Sequence, residues 1–319
     1  MVAILEAKQL TERALLSIPG VTGVGIGASS QKYIHIYVEE ITSEIEAEIP
    51  KTIAGYPVRL IKSGRFKALS LLVEPKLKAA TEPIRTSRLR PAVGGVSISH
   101  RDVTAGTLGA VINGLIISNN HVLANASTIE RPTAQIGDEI FQPGKYDGAT
   151  SEDQIAILHS FIPLSESMSN LVDVAWAQPL NPADVVEKEV LGIGKIAGFI
   201  EPQVDMQVQK SGRTSGLTKG KILDVDATTT VEYDGKQLQF RDQVITEHMM
   251  DGGDSGSLGL DMNKNLWGLG FAGSDELTVF NKISNVIQQI PSQPQPLDLG
   301  KLVGLGLIFG FLVFRGKSF

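Results

Sequence analysis

The sequence predicts a mainly β protein: two packed antiparallel β-barrels, preceded by a small α+β domain and followed by an apolar C-terminal tail. Three observations predict it. From Val93 onward, short apolar runs are punctuated by glycine, as in Val93-Gly-Gly-Val-Ser-Ile, Thr107-Leu-Gly-Ala-Val-Ile, Leu115-Ile-Ile-Ser and Leu266-Trp-Gly-Leu-Gly-Phe, which is the pattern of repeated short strands closed by turns. Over residues 1–70, helical and strand periodicities alternate instead. The composition, 42% hydrophobic with 33 glycines in 319 residues and 20% charged, is that of a globular, turn-rich chain of about two domains.

Taken in order, residues 4–17 set Ile4, Ala7, Ala14 and Leu15 towards one face at helical spacing, and Pro19-Gly20 stops the run. Val21 to Gly27 alternates Val and Ile with small residues, Tyr33 to Glu40 is rich in β-formers, a Glu-rich helix follows near Ser43 to Glu48, and Tyr56 to Ile61 makes a third strand. These form the α+β domain, 1–70. His35 lies inside a strand with no acid or nucleophile motif beside it, so it reads as a packing residue. Residues 71–92, carrying Lys76, Lys78, Pro83, Arg85 and Arg88, read as a linker whose charges are solvated. Residues 93–290 supply the barrels.

The segment 291–301 begins Pro-Ser-Gln-Pro-Gln-Pro, a stiff spacer. Residues 302–314 are uncharged but fall short of the ~20 needed to cross a bilayer as a straight helix. Flanked by Lys301 and Arg315, this run is expected either to anchor in a membrane or to self-associate on an apolar surface of this chain or of a second copy. The start carries Glu6 and lacks a basic stretch followed by a long apolar run, so no signal peptide is read there. A cytoplasmic or membrane-associated placement is expected, the latter through residues 302–314.

A net charge of −6 and a pI near 5.5 exclude a nucleic-acid partner, which needs clustered Lys and Arg. The chain has no cysteine, so neither a disulfide nor a thiolate metal site contributes, and no metal or cofactor is expected.

The chemistry is concentrated in Asp251-Gly-Gly-Asp-Ser-Gly-Ser257. Glycines on both sides let Ser255 take a crowded turn that pushes Oγ outward and aims the N–H groups of Gly253 and Ser255 at one point, as an oxyanion hole requires. His121 follows an apolar strand, Leu115-Ile-Ile-Ser-Asn-Asn-His. An imidazole there can take a proton from Ser255 through one ring nitrogen if the other donates to a buried carboxylate. Asp173 is the candidate carboxylate: in Leu171-Val-Asp-Val-Ala-Trp-Ala it interrupts an apolar run, and a buried acid is costly without a partner. Asp153 sits beside Glu152 at the polar end of a strand, where solvent would satisfy it. His100, His159 and His248 lack comparable surroundings and read as structural or exposed.

Gly253-Asp-Ser-Gly256, Ser118-Asn-Asn-His-Val122 and Asp173-Val-Ala175 resemble the three catalytic motifs of chymotrypsin-like serine proteases, and they come in that family's order, His, Asp, Ser. The likeness runs over roughly residues 1–290 to a cysteine-free bacterial branch, with further matching segments at Arg90-Pro-Ala-Val-Gly-Gly, Gln142-Pro-Gly-Lys-Tyr-Asp-Gly, Lys210-Ser-Gly-Arg-Thr-Ser-Gly and Gly268-Leu-Gly-Phe-Ala-Gly-Ser. The resemblance implies a serine endopeptidase that acts on a protein or peptide substrate through an acyl-enzyme. His121, Asp173 and Ser255 would be catalytic, and the amides of Gly253 and Ser255 would form the oxyanion hole. Met249 would lie at the base of the substrate pocket, with Phe271, Ala272 and Gly273 as its wall. An uncharged Met249 implies an apolar or small residue before the scissile bond.

Two departures stand out. Ser257 follows Gly256 where the family has glycine. Val93-Gly-Gly resembles the freed amino terminus that pairs with the acid preceding the nucleophile, here Asp254, but Pro91 after Arg90 disfavours cleavage, so Asp254 is expected to be satisfied by internal donors. The alternative is a catalytically idle protease-fold protein that uses its N-terminal domain and apolar tail for association and assembly.

Overall fold

The computed structural model describes residues 3–28, 32–68 and 82–289; residues 71–81 of the expected linker, the spacer at 291–301 and the apolar run at 302–314 lie outside them. The described residues belong to one compact unit, Met1–Gln289. The architecture is mainly β and consists of two curled sheets.

The first sheet carries the strand order Gly194–Lys195, Val185–Val190, Ala110–Ile112, Leu115–Ser118, Ala175–Pro179, Gln154–Phe161, Glu139–Phe141, Ser97–His100, Gly106–Thr107. Its inward residues, among them Ile98, Leu108, Ile116, Val122, Ile140 and Leu158, form a single buried cluster, and removal of that apolar surface from water drives the curl.

The second sheet closes on itself. Gln207–Gly212, Leu258–Asp261, Asn265–Gly273, Leu277–Lys282, Lys236–Glu247 and Gly216–Tyr233 pair in turn, and Gly216–Tyr233 pairs back to Gln207–Gly212. Gly216–Tyr233 spans 18 residues and serves two structures. Its first part closes the barrel, from Gln207↔Lys221 to Gly212↔Gly216, and further along Thr228 and Thr229 pair with Val24 and Gly23.

The N-terminal α+β segment is therefore a continuation of the second barrel's sheet. Val21–Ala28 runs antiparallel to Lys32–Val38, which runs parallel to Tyr56–Lys62 across the helix Ser43–Glu48. The segment keeps an apolar cluster of its own, built on Ile4, Leu15, Val24, Ile34, Ile36 and Val38. Helix Ile4–Leu16 buries Ile4, Ala7 and Leu15, but Ala14, one residue of the expected apolar face, is exposed. Lys8 takes the buried place instead, with Nζ 3.1 Å from Thr228 Oγ1 and 3.0 Å from Glu12 Oε2.

His35 is buried, its Nδ1 2.9 Å from Asp224 Oδ2, and the Tyr37 hydroxyl donates to the same oxygen. The strand read as carrying a packing histidine thus holds a polar link to the barrel. The charges of the expected linker are not all solvated. Arg85 is buried, and its Nη1 donates to Gly95 O at 3.1 Å and Ser211 Oγ at 2.8 Å, since five guanidinium donors can be satisfied by carbonyls as well as by water. Among the described residues no helix is long and apolar enough to cross a membrane.

Candidate active site

Strand register brings His121 and Asp173 together. Ser118 pairs with Ala175, so the chain leaving one strand towards His121 and the chain entering the other from Asp173 meet at the same end. Asn119 then turns the backbone into the short helix Asn120–Leu123, and its Nδ2 donates to Asp173 O at 2.8 Å. Asn120 Nδ2 pins the helix to Ser127 O at 3.0 Å and Ile162 O at 2.8 Å. Across the junction His121 Nδ1 lies 2.5 Å from Asp173 Oδ2, and the His121 amide donates to Oδ1 at 3.3 Å. A carboxylate on Nδ1 holds the imidazole in the tautomer that leaves Nε2 as a base. His121 Nε2 is buried and takes no partner among the described residues.

Two further side chains hold Asp173. The Tyr233 hydroxyl donates to Oδ2 at 2.6 Å, and Asn281 accepts from the Asp173 amide at 3.0 Å while donating to its carbonyl at 3.2 Å. Burial first, then the Asp173 charge, pushes the Tyr233 phenol well above its ordinary value, so it remains a donor. Neither residue was found from sequence. Their partner lies 60 and 108 positions away, and a tyrosine or an asparagine on a strand carries no local signal of such a contact.

The turn Asp251–Ser257 approaches from the second barrel. The Gly256 amide donates to Gly270 O at 2.9 Å and the Thr107 amide to Ser255 O at 2.7 Å. Gly256 has φ +96°, and a Cβ there would stand 2.1 Å from Ser118 Oγ and 2.2 Å from Thr107 O. Only glycine lets the turn press against the strand that leads into His121. The amides of Asp254, Gly256 and Ser257 are spent inside the turn or on Gly270, whereas those of Gly253 and Ser255 take no partner among the described residues. Ser255 Oγ donates to Phe271 O at 3.3 Å.

Asp254 is satisfied internally. Lys210 Nζ lies 3.0 Å from Oδ2, the amides of Thr214 and Ser215 donate to Oδ1 at 2.8 and 3.1 Å, the Asp251 amide donates to Oδ2 at 3.0 Å, and the Ser215 hydroxyl also donates to Oδ2. Burial alone pushes this carboxyl up, but Lys210 and the hydrogen bonds together hold it below the ordinary carboxylate value. Lys210 supplies the cation that faces Asp254. No local signal marks Lys210, because its neighbours in the strand Gln207–Gly212, Gln209 and Ser211, are polar.

The remaining sequence-predicted residues are placed as follows. Of the four expected around a substrate pocket, Gly273 lines a cavity of about 460 Å³, together with Met250, Gly252, Ser274 and, from the N-terminal segment, Arg65 and Lys67. Met249 is no part of that lining: it packs with Val208, Ile222, Trp267 and Phe280, because an unbranched apolar chain gains more inside that cluster than at a wet wall. Phe271 and Ala272 sit in the core against Phe240 and Tyr233. Asp153 bonds Thr150 and Arg88 rather than a histidine. His100 pairs with Asp138 at 3.1 Å, and His248 is exposed. Among the described residues no His, Cys, Asp and Glu cluster could hold a metal ion.

No protein-family model and no curated protein matches this chain. Solved structures do. The crystal structure of Cellulomonas bogoriensis chymotrypsin is similar at 20% identity, covering 61% of this chain and 93% of that one, with a TM-score of 0.45. Protease A of Thermobifida fusca is similar at 18% identity over 61% and 94%, with a TM-score of 0.44. The Nocardiopsis protease is similar at 16% identity over 61% and 94%, with a TM-score of 0.44.

Proposed function

We propose that this chain is a serine endopeptidase that hydrolyses peptide bonds through an acyl-enzyme. The observation that carries the reading is the buried His121–Asp173 pair, with Nε2 bare, at the same junction as a glycine turn that carries Ser255 and leaves the amides of Gly253 and Ser255 unspent. In this mechanism the Ser255 hydroxyl leaves the Phe271 carbonyl, gives its proton to His121 Nε2 and attacks the scissile carbonyl. Asp173 stabilises the imidazolium, and the amides of Gly253 and Ser255 receive the oxyanion. His121 then protonates the leaving amine, and water attacks the acyl-enzyme by the reverse proton path.

Replacing Ser255 with Ala is expected to lower kcat by on the order of 10⁴ or more while the melting temperature stays close to that of the unaltered protein. Hydrolysis retained in folded Ser255→Ala would overturn the assignment. A folded wild-type protein whose Ser255 reacts with no fluorophosphonate would support the assembly reading instead.

A further inference from the structure

The nucleophile's surroundings are closed. Ser255 is 0% and His121 1% exposed. The strand edge beside the nucleophile is also occupied. Phe271 O receives the Ser255 hydroxyl, so Phe271–Gly273 is the stretch of backbone that leads away from the reacting atom. One side of this stretch is filled by Leu277–Lys282, through Ala272↔Val279 and Gly273↔Thr278. The other side is filled by Phe66–Ala68, which pairs antiparallel through Ala68↔Ala272 and Lys67↔Gly273.

An extended peptide gains affinity by adding itself as a strand to an open edge. Beside Ser255 the edge that could serve is the one Phe66–Ala68 holds. In an antiparallel register each step along one strand matches one step back along its partner. A peptide continuing this register past the position of Ala68 would therefore place its next residue opposite Phe271, where the Ser255 hydroxyl lies. The resident strand therefore runs in a direction and register that lead to the reacting atom.

Its hold is local and unequal. The Phe66 side chain is buried with Tyr37, Phe240 and Phe271, and the backbone of Phe66 and Lys67 also pairs parallel with Gly216–Tyr233 through Val231↔Phe66 and Glu232↔Lys67. Lys67 instead lines the cavity that Gly252 and Gly273 share, and Ala68 adds little side-chain surface.

Resting on the hydrolase reading above, we propose that Phe66–Ala68 is an intramolecular occupant of the peptide-docking edge, and that the chain keeps its own cleft closed until this strand leaves. Being tethered, the strand competes at an effective concentration of about millimolar, which a short free peptide does not match.

The test compares two probes on the full chain and on two variants that keep Phe66 as anchor: Ala68→Pro, which cannot continue a strand ladder, and the double change Lys67→Gly with Ala68→Gly. One probe is a small fluorophosphonate that needs only Ser255. The other is a peptidyl phosphonate carrying Phe-Lys-Ala ahead of a leucine-derived reactive group, which needs the edge. The ratio of peptidyl to small-probe labelling rates is expected to rise at least about tenfold in the variants. An unchanged ratio in variants that still melt cooperatively overturns the proposal, and the double-glycine variant carries the test if the proline variant does not fold. Absence of small-probe labelling in every protein defeats the hydrolase reading itself, and this proposal with it.

Discussion

Asp254 is a fully buried carboxylate, and its donors decide its charge. Burial raises its pKa, while the Lys210 charge, the Ser215 hydroxyl and the Asp251 amide together bring it below the ordinary carboxylate value. Burial also pulls the Lys210 ammonium down, opposed by Asp254. The carboxylate side sets the pair's behaviour, because it collects backbone amides as well as the ammonium. A folded-state pKa below the unfolded one contributes stability that is present above the unfolded pKa and lost as pH falls through the folded one. Removing one partner of a buried pair costs about 3–5 kcal/mol. The gap in melting temperature between wild type and Asp254→Asn is therefore expected to be full above the ordinary carboxylate range and to shrink as pH falls below it. Melts across that range check it, and a gap that does not vary with pH would show that Asp254 is not held ionised.

At the scale of elements, the long hairpin Gly216–Tyr233 with Lys236–Glu247 does more than close a barrel. Its turn, Asp234-Gly235, has φ of +48° and +76° between paired Tyr233 and Lys236, values that an Asp-Gly pair adopts readily. The turn sets Tyr233 at the hairpin end, where its hydroxyl reaches Asp173. Hydrogen bonds to charged groups contribute about 1.5–3 kcal/mol, so Tyr233→Phe is expected to lower kcat by roughly ten- to a hundredfold. KM should change little, because the hydroxyl orients Asp173 and touches no substrate. Steady-state kinetics separate the two, and a rise in KM at constant kcat would give Tyr233 a binding role instead. Strand and turn are readable here from β-formers flanking Asp-Gly. The partner is not, because it is fixed only when the hairpin folds over the first sheet.

For the molecule as a whole, the N-terminal segment and the second barrel share backbone and side chains. Val24 and Gly23 pair with Thr228 and Thr229, Lys8 bonds Thr228, and His35 with Tyr37 grips Asp224. Melting the segment alone would strip partners from the middle of Gly216–Tyr233 and leave Asp224 buried without its donors, which is costly. Residues 1–289 are therefore expected to unfold in one transition, with calorimetric and van't Hoff enthalpies equal. Two separated heat-capacity peaks would show that the segment folds on its own.

The mainly β class and the succession of helix and strands up to Tyr56 are legible in the chain of residues alone. So are three candidate residues, His121, Asp173 and Ser255, because periodicity, turn residues and an acid stranded in an apolar run are local facts about neighbours in the chain. What surrounds them emerges from folding: Tyr233 and Asn281 on Asp173, Lys210 beside Asp254, Met249 inside a core cluster, and Phe66–Ala68 along the edge beside the nucleophile. Each of these depends on strand register and on the packing of distant segments, and the energy that selects them, burial together with the satisfaction of polar groups, exists only once those segments meet.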